Sequence, residues 1–316
     1  MSTSAEPQKV PSVAGARGAA RRPGGTTNTT GTKEIELSAG TVAYEDTGGD
    51  GPTVVLLHGL MMDASLWDGT VSGLSAGHRC LAPTLPLGAH PHPMGADADL
   101  SLSGTARLVA EFLDRLDLRD VTLVGSDTGG ALVQLLIAEG DGGRAARVGR
   151  IVLVSCEAFD NYPARVTGRT LALAGRLSPR LFGLFMQQMR LRPVRRLPVA
   201  FGWLTRRGDA ATRRWTRPVM TRPGIRRDAV RTLRAAAEDA RRLAGAAGAL
   251  GSFDRPALVV WAAGDRVMPP AHGRRLAELL PQGRLAEIPD SRTLVPLDQP
   301  ERLALAIREF VAARHR

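Results

Sequence analysis

Four short apolar runs constrain this 316-residue chain more than any other feature: TVVLL (53–57), VTLV (121–124), IVLV (151–154) and PALVVW (256–261). Each is continuous rather than alternating, as expected of a strand covered on both faces. Between them lie segments with helical patterning, at Ala64–Leu74, Leu102–Leu116, Gly129–Ala138, Ala271–Leu280 and Pro300–Ala313. Glu34–Leu37 and Thr41–Glu45 read as a hairpin, and His78–Ala82 and Arg284–Ile288 as further strands. Strands and helices alternating in this way predict an α/β fold with a mostly parallel central sheet and helices on both faces.

Residues 158–250 break the alternation. They read as helices punctuated by Pro193, Pro198, Pro218 and Pro223, a helical insertion over the C-terminal ends of the strands. Ligands bind at that edge of open α/β sheets. Charge marks the same boundary. Residues 160–251 hold 20 Arg against 5 acids, a net of +15 within a chain whose total is +11. Residues 1–32 carry +3, so the rest sums to −7. The expected organisation is a disordered tail at 1–32, a core at 33–157, a helical cap at 158–250 and the second part of the core at 251–316. No run approaches 18 apolar residues, so no transmembrane segment is expected. Cys80 and Cys156 are too few for a disulfide framework and sit in apolar runs, which fits a reducing, cytoplasmic setting.

Residues 121–130, VTLVGSDTGG, combine a strand, a tight turn and a helix start. Gly125 and Gly129 bracket Asp127 in a Gly-x-Nu-x-Gly frame, where small flanking residues allow a sharp turn that lifts the middle side chain above the sheet. Ser126 is out of frame. With this motif, His58-Gly59 after TVVLL, and WAAGDRVMPP (261–270), the chain from about residue 33 resembles the α/β-hydrolase superfamily. An Asp in the nucleophile position resembles its epoxide hydrolase and haloalkane dehalogenase branch. The resemblance implies an α/β-hydrolase fold with a helical cap insertion. It further implies Asp127 as nucleophile, Asp265 as the acid, and the backbone N–H groups of Leu60 and Thr128 as an oxyanion hole. The competing reading of Asp127 is a helix N-cap.

The departures from that branch are specific. Its water-activating histidine lies seven residues before the proline of a C-terminal motif; counting back from Pro300 gives Thr293, and no histidine lies between His272 and His315. Halide-binding positions are Thr128 and Leu60 here. The insertion holds one tyrosine, Tyr162. Candidates for lining the pocket or replacing the base are His58, His92, Glu157 and Met186. His92 lies with His90, Asp97 and Asp99 in a Pro/Gly-rich loop with only a faint resemblance to a metal site, and no metal is expected. Glu157 follows a strand at the ligand-binding edge with Asp160, and burial would raise its pKa. Met186 lies in the Met-rich LFGLFMQQM (181–189). His58 is also read as a structural residue of its turn.

The arginines at 190, 192, 195, 196, 206, 207, 213, 214 and 217 suit an anionic substrate, partner or membrane surface, or form a solvated face. Nucleic acid is not expected, since aromatics are sparse and no nucleic-acid module is present. The chain is read as a monomer or homodimer acting without cofactor on a small-molecule substrate. The leading reading is a hydrolase for a small apolar electrophile of the ester, epoxide or halide class. The alternatives are a non-hydrolytic isomerase, lyase or cyclase using Asp127 as general base, and an impaired pseudo-hydrolase that binds a small molecule.

Overall fold

The computed structural model describes residues 31–139 and 143–313; the tail expected to be disordered lies outside them, except for its last two residues. Eight strands form one sheet in the order β1-β2-β4-β3-β5-β6-β7-β8. β1 (Thr32–Leu37) and β2 (Gly40–Asp46) form the expected hairpin, and β2 runs antiparallel to β4 (Arg79–Pro83). The remaining pairs, through β3 (Thr53–Leu57), β5 (Val121–Asp127), β6 (Val148–Cys156), β7 (Ala257–Ala262) and β8 (Gly283–Ile288), are parallel. All seven residues of β5 and all six of β7 are buried, as their continuous apolar runs require.

One helical layer contains α2 (Leu102–Arg115), α3 (Thr128–Ala138) and α9 (Ala236–Leu250), which pack on one another. A second contains α1 (Asp68–Leu74), preceded by a 3₁₀ turn over Ala64–Trp67, and α12 (Pro300–Ala312). α10 (Pro270–Leu279) packs on β7 and β8, and the single-turn α11 (Val295–Asp298) contacts α12. Between β6 and β7 the chain also forms α4 (Arg165–Ala174), α5 (Pro179–Met186), the short α6 (Arg192–Arg195), α7 (Asp209–Thr221) and α8 (Pro223–Arg234). α5, α7 and α8 pack together. Trp215 of α7 anchors this group by donating its indole N–H to Asp63 Oδ1 at 2.9 Å. Among the described residues no helix is long and apolar enough to cross a membrane.

β5 and β6 run further than their apolar stretches. The ladder continues through Gly125 and Ser126 to pair Asp127 with Cys156 across an irregularity. The extension matters because it delivers the β5–α3 turn above the sheet edge. A side chain at Gly125 would enter the Gly129 backbone, and one at Gly129 the Leu57 carbonyl. The turn therefore closes only with glycine at both places. We expect Gly125→Ala to destabilise the protein by roughly 1–3 kcal/mol, the usual cost of overpacking a tight site, read as a lower urea midpoint with an unchanged m-value.

Candidate active site

Asp127 occupies the turn with φ 55° and ψ −129°, a left-handed-side conformation that a non-glycine residue adopts only under constraint. Its side chain makes no cap to α3, so the helix-cap reading of Asp127 does not hold. Its carboxylate instead accepts from the backbone N–H groups of Leu60 and Thr128, the two amides expected to form an oxyanion hole. Close approach fixes Gly59 as well, because a Cβ there would strike the Asp127 carboxylate.

His58 holds the Leu60 segment in place. Its Nε2 accepts from Leu85 N–H at 2.9 Å, so Nδ1 carries the proton and donates to Gly59 O at 2.8 Å. Burial pushes its pKa down to about 4, keeping the ring neutral. Both ring nitrogens are thus committed to backbone, and His58 does not line the cavity; its expected pocket role is corrected to a brace for the turn. His92 is corrected too. Its ring faces Glu34 of β1 at 2.7 Å, on the exposed surface and away from Asp127.

Glu157, at the end of β6, does reach the site. Its Oε1 accepts from the Thr128 hydroxyl at 3.2 Å, while its buried Oε2 has no hydrogen-bond partner. Two buried carboxyls thus sit side by side at the sheet edge. Burial, then the charge of Asp265, pushes Asp127 up to about 7, against the pull of its two amides. Burial, then the charge of Asp127, pushes Glu157 well above its usual range. Asp127 has the N–H groups of two turns to hold an anion; Glu157 has its own backbone N–H and the Thr128 hydroxyl, with Oε2 bare. Burial raises both carboxyls, so the pair holds protons more readily than free carboxyls do.

Asp265 lies just behind, close enough to act on Asp127 through its charge. Its Oδ1 accepts from Val267 N–H at 2.9 Å, Met268 N–H at 2.8 Å and the Thr293 hydroxyl at 2.8 Å. Burial raises its pKa against these donors. Thr293 is fully buried, in contact with Asp265. Of the other acidic candidate, Asp160, the side chain is 92% exposed and pairs with His272 rather than facing the site.

Asp127, Thr128, Glu157 and Leu60 form the floor of a cavity of about 1030 Å³, including its open mouth. Met61 and Val267 form the near walls. The far walls are Leu171 and Thr167 of α4, Phe185 and Met186 of α5, and the stretch 194–204, including Leu197, Val199, Phe201 and Leu204. Met186 lines the cavity as expected. Phe185 lies in the same Met-rich run, whereas Phe201 and Leu204 were not singled out by sequence, because an apolar residue facing a cavity has the same pattern as one facing the core. Among the described residues no arginine lines the cavity. Of the basic set, Arg195 is buried, pairing with Asp209 and donating to the Met189 and Arg190 carbonyls.

The strained turn thus sets the buried Asp127 carboxyl against two backbone amides at the edge of a mostly parallel sheet. The alpha/beta hydrolase family model matches residues 54–306, and the chain belongs to this family. It is 30% identical over 298 residues to a cis-3-alkyl-4-alkyloxetan-2-one decarboxylase of Xanthomonas campestris pv. campestris, covering 88% of this chain and 95% of the relative. Haloalkane dehalogenase 2 of Mycobacterium tuberculosis is 27% identical over 283 residues, covering 87% and 93%. A haloalkane dehalogenase of Mesorhizobium japonicum is 36% identical over 106 residues, a third of each chain. Among solved structures, a putative ancestral haloalkane dehalogenase matches in fold with a TM-score of 0.69 at 23% identity, covering 89% of this chain and 100% of that one.

The raised Asp127 pKa has a sign. A carboxyl whose folded pKa lies above its unfolded value costs stability as pH rises from about 4 to about 7, and the cost is full above 7. We expect Asp127→Asn to leave thermal stability nearly unchanged at pH 4 and to raise it at pH 8, by a few kcal/mol at most. Paired melting curves at the two pH values check this.

Proposed function

We propose that this chain is an enzyme in which Asp127 attacks carbon in a small, apolar electrophile bound in the cavity. One observation carries the reading: an ionisable carboxylate, held by two backbone N–H groups, forms the floor of a cavity with otherwise largely apolar walls. A carboxylate anion needs no deprotonation to attack carbon. Glu157, keeping its proton, has a free Oε2 beside Asp127 and would donate a hydrogen bond to the departing group.

Attack leaves an ester on Asp127, and the manner of its release decides the reaction. Thr293 stands against Asp265, where the resemblance calls for an imidazole to activate water. Loss of a general base costs roughly 10²–10⁴-fold, so hydrolysis of the ester is expected to be slow. A strained cyclic ester offers a route without water, and the Xanthomonas relative is named for such a substrate, an alkyl-substituted oxetan-2-one. Asp127 would attack the alkyl-bearing, saturated ring carbon next to the ring oxygen, not the carbonyl carbon. That C–O bond breaks, and its electrons go to the freed substrate carboxylate. The C–C bond to this carboxylate then breaks and carbon dioxide leaves. Those electrons form the alkene, and the carbon–oxygen bond to Asp127 breaks, returning its pair to the carboxylate. No water and no net proton are consumed. We therefore assign the substrate class as apolar β-lactones.

The elevated pKa of Asp127 also favours a second reading, in which it removes a proton in a cofactor-free isomerisation or elimination.

Incubation with a dialkyl β-lactone, a haloalkane and an epoxide, read by intact-protein mass and product analysis, separates these. The proposal expects alkene and carbon dioxide from the lactone, with no oxygen-18-labelled hydroxy acid formed in labelled water. It expects a persistent adduct from the haloalkane or epoxide. Both are lost in Asp127→Asn, and both rates rise with pH through about 7 as Asp127 ionises. Lactone opening to a labelled hydroxy acid would overturn the non-hydrolytic route. Turnover of the panel unaffected by Asp127→Asn would overturn the nucleophile assignment.

A further inference from the structure

The outer surface of the insertion is unlike the rest of the molecule. Among the described residues ten large aliphatic side chains are exposed, and eight of them fall between residues 166 and 199. They follow helical spacing: Val166 and Leu173 of α4, with Leu177 just beyond it, then Leu181 and Leu184 of α5. Leu191, Leu197 and Val199 continue the patch. Exposed aliphatic side chains concentrated in one segment in this way mark a contact surface. The same stretch is wholly basic in its charges. Residues 161–208 hold ten arginines and no Asp or Glu. All ten except Arg195 are exposed.

We propose that this face of α4, α5 and the segment up to Val199 docks on an anionic lipid bilayer, with the cavity mouth turned toward the lipid. Three observations select a membrane surface as the occupant. Exposed leucines interspersed with arginines and free of carboxylates match the composition of interfacial helices, whose aliphatic side chains enter the headgroup boundary while arginines meet lipid phosphates. Charge is asymmetric across the molecule, +15 over residues 160–251 against −7 for the core segments 33–159 and 252–316 together. An anionic surface would therefore turn the lid inward and the core outward. Finally, Leu197 and Val199 are exposed on this patch and also line the cavity. An apolar molecule dissolved in lipid would thus enter the site along apolar side chains. The docking rests on the surface alone and does not require any chemistry at Asp127.

Co-sedimentation of the full chain with phosphatidylglycerol/phosphatidylcholine vesicles and with pure phosphatidylcholine vesicles tests the proposal. Binding to the anionic vesicles is expected to be at least about tenfold tighter and to weaken with salt. Arg176→Glu with Arg180→Glu is expected to cost at least about tenfold, at roughly fivefold per basic residue. Leu173→Asp with Leu184→Asp is expected to cost about tenfold or more, with an unchanged melting temperature showing that the chain still folds. Asp127→Asn is expected to bind vesicles as the unaltered chain does, which separates this surface from the proposed chemistry. Equal binding to both vesicles, or no effect of either double variant, would overturn it. So would a self-association in sedimentation velocity that the leucine pair abolishes while vesicles remain unbound, since the face would then be an interface between copies.

Discussion

The site depends on one contact, the Asp127 carboxylate against the amides of Leu60 and Thr128. The two donors come from different turns, one after β3 and one after β5. They converge only because β3 and β5 are parallel neighbours whose ends lie side by side. Gly59 lets the first turn approach the carboxylate, and Gly125 and Gly129 let the second turn bend sharply enough. His58 then fixes the first turn by bonding to Leu85 and Gly59. A parallel pair, three glycines and one neutral imidazole thus set the position of a single anion.

That anion is placed in surroundings that oppose its charge. Without the amides, a carboxyl so buried beside another would stay protonated at neutral pH. The amides restore enough stability to the anion to bring its pKa near neutrality, while burial and the Asp127 charge raise the neighbouring Glu157 well above its usual range. The apolar walls add to both shifts, because little solvent is present to stabilise a second negative charge.

The sheet and its order of helices were legible because each buried strand is a continuous apolar run. The elbow was legible because its glycines are sterically required. The extension of β5 and β6 to Asp127 and Cys156 was not, since Gly125, Ser126 and Ser155 interrupt the apolar pattern while the backbone ladder continues. Side-chain direction was the other blind spot. His58 and His92 both lie on segments near the ligand-binding edge, but hydrogen bonding turns one ring into backbone and the other toward Glu34. Glu157 lies at that edge with one oxygen on the Thr128 hydroxyl and the other bare, an arrangement its position in the chain does not reveal. Arg195 shows the same limit: within a basic run it reads as surface charge, and Asp209 draws it into the interior.

Asp265 joins two loops through one carboxylate oxygen. Its Oδ1 accepts from Val267 and Met268, closing the loop between β7 and α10, and from Thr293, tying in the segment after β8. Hydrogen bonds to an ionised group contribute about 1.5–3 kcal/mol each, and removing the acceptor leaves its buried donors unsatisfied. The carboxylate is therefore held by what it does for the two loops, whatever it does for catalysis. Thr293 is fully buried and its hydroxyl bonds to the same oxygen, Oδ1, as the two amides, which leaves Oδ2 buried without a hydrogen-bond partner. Asp265 thus cross-links the two loops, and its charge raises the pKa of Asp127 from behind.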